Sequence, residues 1–180
     1  NITANSGNVI MTALEAATIE AGSIRTDVVD VNAAQWNVNG GEINATRVEA
    51  DQAMTLSGGT INATTVEASQ AMALKGATVN AANVIAGTTM TISDGNVNTG
   101  DSTGLLQAAN ISLTGGQVKG ADVTIYAGES YAQSGGTIAA TTATVQSGKN
   151  INLTGGEVQA TTANLNANDD ITVVGGEVQA

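Results

Sequence analysis

Cysteine, proline, histidine and phenylalanine are all missing from these 180 residues. One tryptophan (Trp36) and two tyrosines (Tyr126 and Tyr131) are the only aromatics, and five basic residues stand against sixteen acidic ones. Each shortage removes a class of protein. Without Cys there is no disulfide scaffold, although the compartment stays open. Without His or Cys the soft metal ligands and the usual proton shuttle are gone. A net charge of −11 with so few cations leaves no basic patch for phosphates, which disfavours nucleic acid and anionic bilayers as partners. No apolar run approaches the roughly 18 residues needed to span a bilayer. The first residues, NITANSGNVI, carry no basic n-region, so an export signal would lie outside this stretch. So few aromatics imply a thin interior made of small aliphatic layers.

What is present is a repeat. Ile151–Ala160 reads INLTGGEVQA, Ile171–Ala180 reads ITVVGGEVQA, and Ile111–Gly120 reads ISLTGGQVKG. Units begin at Ala17, Trp36, Met54, Met72, Met90, Ile111, Tyr131, Ile151 and Ile171, with steps of 18 to 21 residues. Such periods match one coil of a solenoid, whereas helical repeats usually exceed about 30 residues. Within a unit the alternation has period two. The third position holds Ile19, Val38, Leu56, Leu74, Ile92, Leu113, Gln133, Leu153 and Val173. The eighth is β-branched throughout, the ninth is mostly polar and the tenth small, which is the pattern of a half-buried strand. Glycine holds the sixth position except at Ala77, implying a corner with positive φ or close backbone approach. A third strand follows in each unit, and in later coils an extra apolar–polar pair lengthens it, as in Val123, Ile125 and Ala127.

Stacked coils let each short strand pair with its copies above and below, laying like residues in columns. The expected fold is an all-β, right-handed parallel β-helix of about nine coils. Right-handedness follows from aliphatics spaced five, five and six residues apart (Leu56, Ile61, Val66, Met72), where a left-handed form repeats a hexapeptide, and from the usual hand of parallel connections. Residues 1–180 form one solenoid segment in this reading. Residues 1–16 make an irregular first turn, 17–110 shorter coils with a bulge or protruding loop in 90–110, and 111–180 regular 20-residue coils.

Segments such as VQSGKNINLTGGEVQATTANLNANDDITVVGGEVQA resemble the haemagglutinin repeats of filamentous-haemagglutinin-like proteins. These are the exported passengers of bacterial two-partner secretion and contact-dependent inhibition systems. The resemblance covers Ile111–Ala180, and extends in shorter coils over Ala17–Asn110. It implies a right-handed β-helical shaft outside the cell, with adhesive or receptor-binding regions elsewhere along its length.

No catalytic, cofactor or metal residues emerge. Hydrolysis of a polysaccharide needs two carboxylates at a set separation, but Glu42, Glu157 and Glu177, or Glu49 and Glu67, recur with the repeat as solvated positions do. Calcium suits oxygen-rich turns, and Asp94, Asn96, Asn98 and Asp101 lie close in sequence, as do Asp169 and Asp170. The nine-residue calcium repeat is absent, which favours solvated turns. Threonine pairs at Thr64 and Thr65, Thr141 and Thr142, and Thr161 and Thr162 suggest an ice-binding face as an alternative function, but Asn83 and the fifth coil interrupt it. Sequons fall at Asn1, Asn44, Asn62, Asn110 and Asn152. Gln133, inward by register, needs a hydrogen-bond partner, for which Ser147 is the sequence's candidate.

These features together predict a non-enzymatic shaft segment of an exported adhesin or fibre, extracellular or on the bacterial outer surface. Its expected partners are neighbouring coils of a longer solenoid or head-to-tail copies of itself. A host receptor or glycan would be bound elsewhere on the full protein.

Overall fold

One coil explains the architecture. Gln35–Val38, Glu42–Asn44 and Arg47–Ala50 are three short strands separated by tight corners. Trp36, Val38, Ile43, Val48 and Ala50 point inward and are buried, while their neighbours face out. Strands of three or four residues cannot satisfy their backbone groups alone, so each pairs in parallel with the next coil. The computed structural model describes residues 2–3 and 7–180. Among them there is no helix, and the strands build a parallel β-solenoid of about nine turns.

The register is the one expected from the repeat. The first column runs Ala17, Trp36, Met54, Met72, Met90, Ile111, Tyr131, Ile151, Ile171, each the Cα partner of the next. The third-position column runs from Ile19 to Val173 through the same pairings, with Gln133 between Leu113 and Leu153. On the second face Ile24, Ile43, Ile61, Val79, Val97 and Val118 superimpose. On the third, Val9, Val29, Val48, Val66, Val84, Leu106 and Ile125 do so. Rungs about 4.8 Å apart leave no room for water between these side chains. Each aliphatic contributes roughly 1.5–3 kcal/mol by its burial.

The lengthened coils add their extra inward position at the start of the third strand, and the fifth coil also shifts register between Ala108 and Asn110. Val84 pairs with Leu106, Leu106 with Ile125 and Ala108 with Ala127. The additional inward position is therefore Gly104 paired with Val123, at the start of the third strand. The irregular fifth coil turns at residues 100–102, with Gly100 at φ 79°, and then re-enters the stack as Thr103–Leu113. Of the expected bulge or protruding loop, the coil shows a short turn here and the shift of register between Ala108 and Asn110. Beside the turn, Thr99 is buried, and a Cβ on Gly104 would lie 2.1 Å from the Thr99 Cβ, so the inward threonine fills the space that Gly104 vacates.

The opening stretch, irregular in sequence, also pairs. Asn8–Thr12 stacks on Val28–Asn32, and Ile2–Thr3 on Ile24–Arg25. At the sixth position the corner glycine reaches positive φ in most coils, as at Gly136 (φ 68°), where a Cβ would meet the Gly115 carbonyl oxygen at 2.8 Å. In the coil carrying Ala77, Gly76 adopts the positive φ instead. An L-residue at position six therefore displaces the corner by one residue without breaking the coil.

Candidate functional site

With the interior filled, chemistry can reside only on the three outer faces, the corners and a few buried polar groups. The second face carries an amide ladder. Asn62 Nδ2 donates to Asn44 Oδ1 (2.9 Å), and Asn80 Nδ2 donates to Asn62 Oδ1 (2.7 Å). Asn62 Nδ2 also reaches Glu42 Oε1 at 3.2 Å. Two of the sequon asparagines, Asn44 and Asn62, are therefore engaged in the ladder. Asn110 and Asn152 sit in paired strands, and Asn1 lies outside the described residues.

The third face has two outward columns, and their chemistry changes along the axis. One passes from Asp30 through Glu49 and Glu67 to Ile85, Gln107 and Tyr126. The other passes from Arg47 through Thr65 and Asn83 to Leu105 and Thr124. Arg47 clamps the charged half. Its Nε donates to Glu49 Oε2 at 2.9 Å, and its Nη2 to Glu49 Oε1 at 2.9 Å and Glu67 Oε2 at 2.7 Å. The Glu49 hydrogen bond holds the guanidinium pKa above its ordinary value. With 43% of the Arg47 side chain exposed, this network relieves stacked carboxylates more than it stabilises the fold.

Inside, one polar pair interrupts the aliphatic columns. Gln133 is 1% exposed. Its Oε1 accepts from the Tyr131 hydroxyl at 3.0 Å, and its Nε2 donates to the carbonyls of Gly136 (3.3 Å) and Glu157 (3.1 Å). The sequence's candidate partner, Ser147, is not involved. The Ser147 hydroxyl is positioned between the Glu129 and Asn150 carbonyls at 2.7 and 2.9 Å. Gln133 finds its partner two residues away because positions one and three of a strand share a face. The period-two register already placed Tyr131 and Gln133 side by side, so that signal was present in the sequence. Burial raises the Tyr131 phenol pKa far above its ordinary value. The indole Nε1 of Trp36 is buried with no partner among the described residues.

The oxygen-rich turns are not assembled into a site. Asp94 lies at one end of Asn96–Asn98 and Asp101 beyond the other, on successive corners. Among the described residues no group of three or more acidic side chains is arranged to hold a metal ion. Glu157 and Glu177 stack on adjacent rungs and accept from Gln159 and Gln179, at 2.7 and 2.8 Å. Among the described residues the paired threonines make short stacks: Thr60 lies on Thr78 and Thr142 on Thr162, while Thr65 is flanked by Arg47 and Asn83. The hollows are shallow. One of about 370 Å³ at the first coil is lined by Ile2, Met11, Ile19 and Ile24 among others. Another of about 540 Å³ lies beside Asn98, Asp101 and Lys119. No family model, curated protein or solved structure matches the chain.

Proposed function

We propose that this chain is a structural shaft, a stiff segment of an exported bacterial adhesin or fibre that holds other regions away from the cell surface. The observation that carries the reading is the unbroken first column from Ala17 to Ile171, with chemistry-bearing side chains dispersed along outer faces instead of converging. Such a stack resists bending because each interior rung is hydrogen-bonded to the rungs on either side of it. The resemblance of residues 111–180 to haemagglutinin repeats adds the extracellular setting. The surplus of carboxylates keeps shafts apart by mutual repulsion. Neighbouring coils of a longer solenoid, or further copies of the chain, are the partners this reading implies.

Two experiments test it. Nine rungs at about 4.8 Å give a rod on the order of 40 Å long, measurable by small-angle scattering. Pulled from its ends, the rod should open coil by coil, each step releasing about 60–75 Å of chain at ~3.3–3.6 Å per residue. A globular scattering profile, or a single release at negligible force, would overturn the shaft. For the setting, an antibody raised against the chain should label intact bacteria. Labelling only after permeabilisation would remove the export part of the proposal.

A further inference from the structure

We propose that the uncharged half of the third face binds an extended, uncharged polysaccharide, with Tyr126 as its stacking platform. The argument starts from a change of composition along one surface. Asp30, Glu49 and Glu67 occupy one outward column, and from the next rung the same column holds Ile85, Gln107 and Tyr126. Arg47 in the adjacent column gives way to Thr65, Asn83, Leu105 and Thr124. Twenty residues on, Thr144 and Gln146 pair with Asn164 and Asn166. The Gly148 amide, donating to the Ala127 carbonyl at 2.9 Å, ties that rung to the one bearing Tyr126. On a chain of net charge −11, these two columns carry no charge from Asn83 to Asn166.

Tyr126 has no structural reason to be aromatic. Trp36 and Tyr131 are buried and fill the core, whereas Tyr126 is 42% exposed. An exposed ring presents an apolar face with a polar tip, and the C–H face of a sugar ring covers such a surface while its hydroxyls stay free. Partners for those hydroxyls stand alongside. The Gln107 residue directly paired with Tyr126, and Gln146 on the following rung, have carboxamides with no hydrogen bond among the described residues. Each offers two donors and one acceptor. Leu105 and Ile85 lie half-buried beside them and give the strip an apolar floor.

Shape and charge select the polymer. Rungs about 4.8 Å apart are close to the advance per sugar in an extended glycan, so successive rings meet successive rungs. Compact small molecules bind in concave pockets, which this flat strip is not. A protein partner needs an apolar centre and roughly 1,000 Å² or more of buried surface, and the strip is too narrow and too polar. Anionic polymers are opposed by Asp122, which pairs with Thr103 at one edge, while Glu129 at the other is offset by Lys149 at 3.5 Å.

The test is native electrophoresis of the chain in gels containing hydroxyethyl cellulose, xyloglucan, galactomannan or dextran, with heparin and polygalacturonate as charged comparisons. Retardation is expected in at least one neutral gel and in neither charged one. Tyr126→Ala should weaken it by about tenfold or more, the scale of one aromatic platform, while Tyr126→Trp retains it. Gln107→Ala and Gln146→Ala should each weaken it a few-fold, and Arg47→Met, on the charged half, should leave it unchanged. Since Tyr126 faces outward, its variants should melt with the parent. Because the other two aromatics are buried, the near-ultraviolet difference spectrum on binding reports Tyr126. Free migration in all four neutral gels, equal retardation of parent and Tyr126→Ala, or stronger retardation by heparin would each overturn the proposal. It stands apart from the shaft reading, since rod length and pulling steps do not depend on Tyr126.

Discussion

Replacing Gln133 by Leu puts an aliphatic residue back into an aliphatic column, yet the structure predicts that it destabilises the protein. Three hydrogen bonds are lost: the one accepted from the Tyr131 hydroxyl and the two donated to Gly136 and Glu157. At about 1 kcal/mol net each, that removes about 3 kcal/mol. Burying Leu returns about 1.5–3 kcal/mol. The two carbonyls tolerate the loss of one donor, but the Tyr131 hydroxyl is fully buried and is left unpaired, costing about 1–3 kcal/mol more. The net expectation is a loss of about 1–4 kcal/mol for Gln133→Leu. The double variant Tyr131→Phe/Gln133→Leu removes the stranded hydroxyl and should recover at least about 1 kcal/mol of that. Urea titrations of parent, both single variants and the double variant close the cycle, provided the urea dependence (m-value) is constant. If Gln133→Leu were as stable as the parent, and the two substitutions simply additive, the buried pair would not be the interaction described.

Burial raises the Tyr131 phenol pKa, so the unfolded chain loses its proton first, near pH 10. The contribution is complete below that pH and falls as pH rises, by up to about 1.4 kcal/mol per unit. Between pH 9 and 11, Tyr131→Phe should therefore show a shallower loss of stability than the parent, and identical slopes would absolve Tyr131. Gly136→Val forces a β-branched residue to φ 68° with backbone atoms 2.8–2.9 Å from its Cβ, and should cost about 3 kcal/mol or more. Gly128→Ala, whose nearest contact is 3.7 Å, should melt within about 0.5 kcal/mol of the parent, and an equal loss in both would refute the corner argument. Ile138→Asp buries a carboxylate at a position with no exposure, paired with Val158. It should cost at least about 4 kcal/mol, seen as loss of the cooperative melt, and a parent-like melting curve would mean the column assignment is wrong.

Much of this fold could be read residue by residue. The column Ile43, Ile61, Val79 follows from an eighteen-residue step and β-branched identity, because only superposition buries such residues in so short a strand. The Asn44–Asn62–Asn80 ladder follows from the same step one position later. The sequence was less clear where one coil departs from the others. The fifth coil suggested a bulge or protruding loop, because NTGDSTG after the Val97 strand reads as turn residues. Cross-coil pairing of Thr103 with Asp122 and Gly104 with Val123 draws the end of that stretch back into the stack. The partner of Gln133 was misassigned although the period-two register sets Tyr131 beside it on the same face; the Ser147 hydroxyl is taken up by the Glu129 and Asn150 carbonyls instead.

The outer faces were the least legible. Period-two alternation says which residues point outward, but not which outward residues from coils twenty residues apart become neighbours on a lengthened strand. That depends on where each coil inserts its extra pair. Placing the pair at Gly104 and Val123 aligns Gln107 with Tyr126 and Ile85 with Gln107, which separates a charged half of the third face from an uncharged one.

By itself, then, the order of residues determined a repeating coil, its inward and outward positions and the aliphatic columns, because period and polarity are local properties that stacking merely repeats. The tertiary structure decided the register across unequal coils and, with it, the make-up of the strip around Tyr126 outside. Those are relations between residues far apart in the chain, set by which backbone groups meet when one turn lies on the next.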